Sequence, residues 1–160
     1  MVMAISVSIA RRGVLAGALG MGLLARIPAL AAGSTRLEVW KSPTCGCCGD
    51  WIAHMREAGF TIETHDVGNA GARSRLGLPA HYGSCHTAVV EGYVIEGHVP
   101  AADVARLLRE KPRALGLAVP GMPVGSPGMD GPEYGGRKDP YDTLLVELGG
   151  GGHRVFAAHR

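Results

Sequence analysis

The sequence predicts an α/β fold with elements in the order β-α-β-α-β-β-α, followed by a Gly/Pro-rich loop and a C-terminal β addition. Three observations predict it. Short β-like runs alternate with segments of helical spacing, glycines and prolines stand at the junctions between them, and a tight hairpin precedes a helix that opens on proline. Arg36-Leu37-Glu38-Val39-Trp40 alternates polar and apolar residues, and Pro43 breaks it, giving a first strand. Trp51, Ile52, Met55 and Ala58 recur at helical spacing, with Gly59 as the stop. Phe60 to Val67 reads as a second strand, and Ala70 to Leu76 as a short helix ended by Gly77 and Pro79. His86 to Val90 and Tyr93 to Ile95 form a hairpin turning at Glu91-Gly92. Pro100 suits the start of a helix reaching about Glu110, with Val104, Leu107 and Leu108 on its buried face.

That order is the one expected of a thioredoxin-like domain. Residues 119–136 are too rich in Gly and Pro for a regular element, and their few charges and two Met predict a loop that packs back on the domain. Thr143 to Leu148 and His153 to Phe156 then predict a terminal hairpin, or an added edge strand with a frayed tail.

The first 31 residues read differently. A short polar start, Arg11-Arg12 and an uncharged run from Gly13 to Leu24 precede the small-x-small pattern Ala29-Leu30-Ala31. The run is too short for a bilayer of ~30 Å at a rise of 1.5 Å per residue. Residues 1–31 are therefore expected to be a signal peptide removed near Ala31-Ala32, leaving residues 32–160 as one domain in the periplasm without stable membrane insertion. The spacing R-R-G-V-L also resembles a twin-arginine signal. Three of the sixteen basic residues lie in this leader, so thirteen face fourteen acids in the remainder. That near-neutral balance leaves no basic patch for nucleic acid or anionic lipid.

The chemistry concentrates in thiols. Three of four cysteines (Cys45, Cys47, Cys48) fall in S-P-T-C-G-C-C-G-D-W, at the head of the first helix, and Cys85 follows much later in S-C-H-T. Unpaired N–H groups at a helix start favour thiolate there. Three chemistries compete. Two disulfides would suit an exported protein, but three cysteines in one turn make a poor staple. Cys45 and Cys48 in C-x-x-C relation suit a thiol-disulfide oxidoreductase, although Cys47 adds a sulfur that would scramble a clean couple. In a thioredoxin-like fold the loop before the third strand faces the C-x-x-C turn, and here it carries Cys85 and His86 where a cis-proline is expected. Four converging sulfurs offer soft ligands for Cu(I), zinc or an iron-sulfur centre. Adjacent Cys47 and Cys48 suit bridging several Cu(I) ions better than closing on one tetrahedral ion. His86 is a candidate ligand by adjacency, and Met122, between Gly121 and Pro123, is a candidate thioether ligand. Met129 reads as an apolar plug, His54 as solvated, and His98 as a cap or turn residue.

The segments K-S-P-T-C-G-C-C-G-D-W (41–51), S-C-H-T-A-V-V-E-G-Y-V-I-E-G-H-V-P (84–100) and V-P-G-M-P-V-G-S-P-G-M (119–129) resemble the CopG-like family of small periplasmic metal-binding proteins, long grouped as a domain of unknown function. The resemblance runs from about Leu37 to Val146. It implies a thioredoxin-like fold, a periplasmic location, a part in copper resistance, and copper bound through the cysteines of C-x-C-C and S-C-H. Here those are Cys45, Cys47, Cys48 and Cys85. It further implies Cu(I)/Cu(II) exchange and dealings with other periplasmic copper-handling proteins.

Overall fold

The computed structural model describes residues 35–160; the leader expected over residues 1–31 lies outside them. The elements are β1 (Arg36–Lys41), α1 (Gly46–Glu57), β2 (Thr61–His65), α2 (Ala70–Arg75), β3 (His86–Val90), β4 (Tyr93–Glu96), α3 (Ala101–Glu110), β5 (Gly116–Ala118), β6 (Tyr141–Val146) and β7 (His153–His159). Two single turns of 3-10 helix, Ala80–Tyr82 and Pro132–Tyr134, interrupt the loops. The predicted order from β1 to α3 is the observed one. No helix among the described residues is long and apolar enough to cross a membrane.

The strands form one mixed sheet in the order β2-β1-β3-β4-β5-β6-β7. β1 pairs with β2 in parallel through the α1 crossover, and β4 with β5 in parallel through α3; the other neighbours are antiparallel. Strand alternation assigns the two faces. Leu37, Val39, Ile95, Leu117 and Leu145 point to the face packed by Trp51, Ile52 and Met55 of α1 and Val104 and Leu107 of α3. Val94, Ala118 and Val146 point to the other face, covered by Leu78 and Tyr82 from the segment after α2. Burying each large apolar side chain contributes about 1.5–3 kcal/mol, so this core supplies the stability that few aromatics alone would not.

Three differences from the sequence reading have local causes. β5 is only three buried residues, Gly116-Leu117-Ala118, too short to show alternation. In the C-terminal pair β6 lies two residues earlier than predicted, and β7 runs on as strand as far as His159 because Phe156 anchors it in the core and Arg106 holds the Phe156 carbonyl. His54 is not simply solvated: its Nε2 accepts the Ala101 N–H at 3.1 Å and so serves the start of α3.

Candidate metal centre

The cysteine turn and the β3–β4 hairpin meet because β1 pairs with β3, Lys41 lying opposite His86. Cys45 is the N-cap of α1, and Cys48 faces the core one turn on, its side chain among the buried set with Trp51, Ile52 and Met55. That spacing brings the two Cα atoms to 5.4 Å, and Cys45 and Cys48 are joined in a disulfide. Cys47 and Cys85 are free and half-buried. Cys47 Sγ lies 3.6 Å from Cys45 Sγ and 3.9 Å from Cys85 Sγ, and the Cys48 sulfur is 3.7 Å from the Cys85 carbonyl. All four sulfurs fall within 4.8 Å of one another.

Two imidazoles complete the pocket on the hairpin side. His86 and His98 are both fully buried. His98 Nδ1 lies 2.8 Å from the Pro127 carbonyl, which can only accept, so Nδ1 carries the proton and Nε2 is bare. That bare nitrogen stands 3.0 Å from Cys85 Sγ. Metal-bound histidines commonly donate their second N–H in this way, which fixes ring and tautomer. His86 Nδ1 is 3.4 Å from the same sulfur, its ring packs on Trp51 at 4.3 Å, and its Nε2 is buried with no hydrogen-bond partner among the described residues. Cys85, His86 and His98 thus form a second group whose ligand atoms lie within 4.8 Å.

Electrostatics sharpen the picture. Burial, reinforced by His98, lowers His86 to about 3, and burial lowers His98 as well, so both rings are neutral and keep a lone pair for a metal. Burial, with Cys47 adding to it, pushes the Cys85 thiol up to about 12. The thiolate-favouring helix start serves the cysteine turn and not Cys85, whose partly buried sulfur lies off it, so a metal must displace its proton.

The Gly/Pro loop does fold back. Gly128 sits so close to α1 that a Cβ there would lie 2.6 Å from the Cys47 carbonyl and 2.7 Å from Trp51 N, at a φ of +83°. Met129 is buried, its sulfur accepting the Tyr134 hydroxyl at 3.4 Å. Met122 is 51% exposed and lines an open depression with Arg73, Ser84, Cys85 and Gly121, at the mouth of the cluster.

The residue that the sequence reading missed is His98. The signal was in the hairpin. Its turn is two residues, Glu91 and Gly92, both at positive φ. Counting back from that turn pairs Thr87 with Glu96, and two steps further sets Cys85 opposite His98.

Fold and cluster together define a small mixed α/β protein with a thiol and imidazole group able to hold metal. Comparison with known proteins places it further. A family model described as a protein of unknown function, DUF411, matches residues 82–129. No curated protein matches the chain. Two solved structures described as copper resistance protein copG are similar to it. Form 2 is 42% identical with a TM-score of 0.73, covering 80% of this chain and 100% of its own. Form 1 is 44% identical with a TM-score of 0.72, covering 79% and 98%. The chain belongs to the family of the copper resistance protein CopG.

Proposed function

We propose that this chain is a periplasmic copper-binding protein of copper resistance, thioredoxin-like in fold, that holds Cu(I) through Cys45, Cys47, Cys48 and Cys85. The observation that carries the reading is the convergence of four sulfurs within 4.8 Å, with two neutral buried imidazoles against Cys85. Thiolate and imidazole are donors that suit Cu(I), and the names of the related structures favour copper among the soft metals. Cys47 and Cys48 are adjacent, which favours bridging sulfurs and a polynuclear cluster. His86 and His98 are ligand candidates on the hairpin side. Met122, at the open mouth, is the thioether candidate where copper enters. Exchange between Cu(I) and Cu(II), and transfer to other periplasmic copper-handling proteins, belong to the same reading. Residues 1–31 are read as the export signal, and the protein's mature N-terminus near Ala32 would support cleavage there.

The second reading is a thiol-disulfide oxidoreductase in which Cys45 attacks and Cys48 resolves. It is favoured by one observation, the disulfide between these two residues at the start of α1. The two readings share atoms and differ in what Cys85 does. The copper reading needs the disulfide reduced before all four sulfurs can bind. It predicts two or more copper ions per chain in mature protein loaded without oxygen, falling sharply in Cys85→Ser. Absence of copper from the reduced protein, together with turnover of a disulfide substrate that survives Cys85→Ser, would sink it and leave the oxidoreductase.

A further inference from the structure

Asn69 stands at the N-cap of α2, where its side chain would ordinarily accept a hydrogen bond from the first turn. It makes no such bond. Its Nδ2 donates instead to the Ser84 carbonyl at 3.1 Å and the Thr87 hydroxyl at 3.2 Å. Arg73, one helical turn on, donates Nη2 to the same carbonyl and Nε to the Glu96 carboxylate, both at 2.9 Å. Glu96 is fully buried, and its oxygens also accept the Ser84 N–H at 2.7 Å and the Thr87 hydroxyl at 2.6 Å. Both backbone polar groups of Ser84 are thus held by side chains, and its hydroxyl donates to the Gly121 carbonyl.

We propose that Asn69, Arg73 and Glu96 are a positioning clamp that fixes Cys85 against His98 and Cys47, an inference that rests on the copper reading above. Ser84 is bonded to Cys85, and Glu96 lies two residues before His98, so the clamp grips both sides of the hairpin mouth. Gly97, between Glu96 and His98, leaves no slack: a Cβ there would lie 2.5 Å from the Ser84 Cβ, and its N–H is bonded to the His86 carbonyl at 3.0 Å. A buried ion pair is no better for stability than well-packed apolar residues, so its use here calls for another account. The account is directional. A carboxylate and a guanidinium offer several hydrogen bonds at fixed angles, and here they hold Ser84 and Thr87, the residues that flank Cys85 and His86. An N-cap residue that forgoes its local bond to join them marks the same priority.

The test begins without metal. With Cys47→Ser and the Cys45–Cys48 disulfide intact, Cys85 is the one free thiol in the chain. Asn69→Ala, which leaves the ion pair in place, should raise its rate of alkylation by iodoacetamide severalfold. Arg73→Lys, which keeps the charge but loses the fork, should do the same. In the otherwise native, fully reduced protein, each variant should bind the same number of Cu(I) ions with affinity about 10- to 100-fold weaker, the usual effect of removing outer-shell support. Glu110→Gln, at the exposed Arg106 ion pair at the end of α3, should change neither quantity. Variants that melt earlier but alkylate at the parent rate and bind copper with parent affinity would overturn the clamp, since that is what a purely structural network predicts. If the unaltered protein took up no Cu(I), the copper reading would fall, and the alkylation rates would still decide whether the clamp places Cys85.

Discussion

Cys85 sets how Cu(I) binding should respond to pH. Its thiol lies at about 12 rather than 9.0, chiefly through burial and then through Cys47. Copper binds the thiolate, so the proton must leave. A raised value means that the proton-bound form competes with metal everywhere below about pH 12, and that the competition weakens as pH rises. For each proton released, apparent affinity grows about tenfold per pH unit, because one unit corresponds to 1.36 kcal/mol. An ordinary thiol at 9.0 stops contributing near that pH, whereas Cys85 continues for about three more units, the gap between 9.0 and about 12. Water reaching this half-buried sulfur shortens that range but leaves the slope intact. His86 and His98 are lowered by burial and are neutral throughout, so neither adds a proton. The assay is an anaerobic competition with a coloured Cu(I) chelator calibrated at each pH, using fully reduced protein and Cys85→Ser. Between about pH 9.5 and 10.5 the unaltered protein should keep a slope steeper by about one proton than the variant. Equal slopes would refute Cys85 as a ligand that is a buried thiol before metal arrives.

Three other outcomes follow from the packing. His98→Ala removes the bare nitrogen 3.0 Å from Cys85 Sγ and should weaken Cu(I) binding in the same chelator competition while the four thiols remain titratable. Gly128→Ala places a methyl against backbone atoms of Cys47 and Trp51 at a positive φ, a conformation that costs about 1–2 kcal/mol even without the clash. It should lower the melting temperature by at least about 2–4 °C and weaken copper binding by lifting Pro127 from His98. Phe156→Ala empties a site 6% exposed, under the Arg106 guanidinium at 3.7 Å. It should cost about 3–5 kcal/mol, seen as a drop of roughly 10 °C or more in thermal melts, with copper content per folded chain unchanged.

What the sequence could say followed the range of its signals. The order from β1 to α3 was legible because each element carries its own period and its own punctuation, as with Trp51, Ile52 and Met55 before Gly59. Residues Gly116 to Ala118 carry neither, and they became a strand only because β4 and β6 stand ready on both sides. The meeting of Cys85 with the cysteine turn could be argued from topology, since a strand placed beside β1 must bring its start to the end of β1. The Cys45–Cys48 disulfide follows the C-x-x-C spacing, which the sequence offered as one of three competing chemistries because Cys47 adds a third sulfur to the turn. His98 was legible in principle, by counting from Glu91-Gly92, yet its neighbours in E-G-H-V-P look like any turn. Asn69 carries the opposite lesson. Its residue type marks a helix start, and its side chain acts elsewhere.

The site is built from two halves that differ in what can change them. Cys45, Cys47 and Cys48 ride on the first turn of α1, where reduction or oxidation of one bond alters how many sulfurs are available. Cys85, His86 and His98 ride on the mouth of the hairpin, held by the β1–β3 ladder, by the Pro127 carbonyl and by the buried Glu96 network, none of which involves sulfur. With the turn oxidised, the hairpin half stands assembled and Cys47 lies 3.9 Å from Cys85. A copper ion bound to both halves in the reduced protein would, after oxidation, face two fewer sulfurs but the same imidazoles. Harder nitrogen donors then form a larger share of the set, which favours Cu(II) relative to Cu(I). On the copper reading, the oxidation state of one turn and that of the metal would be coupled through ligand number, with the hairpin supplying the imidazoles in both states.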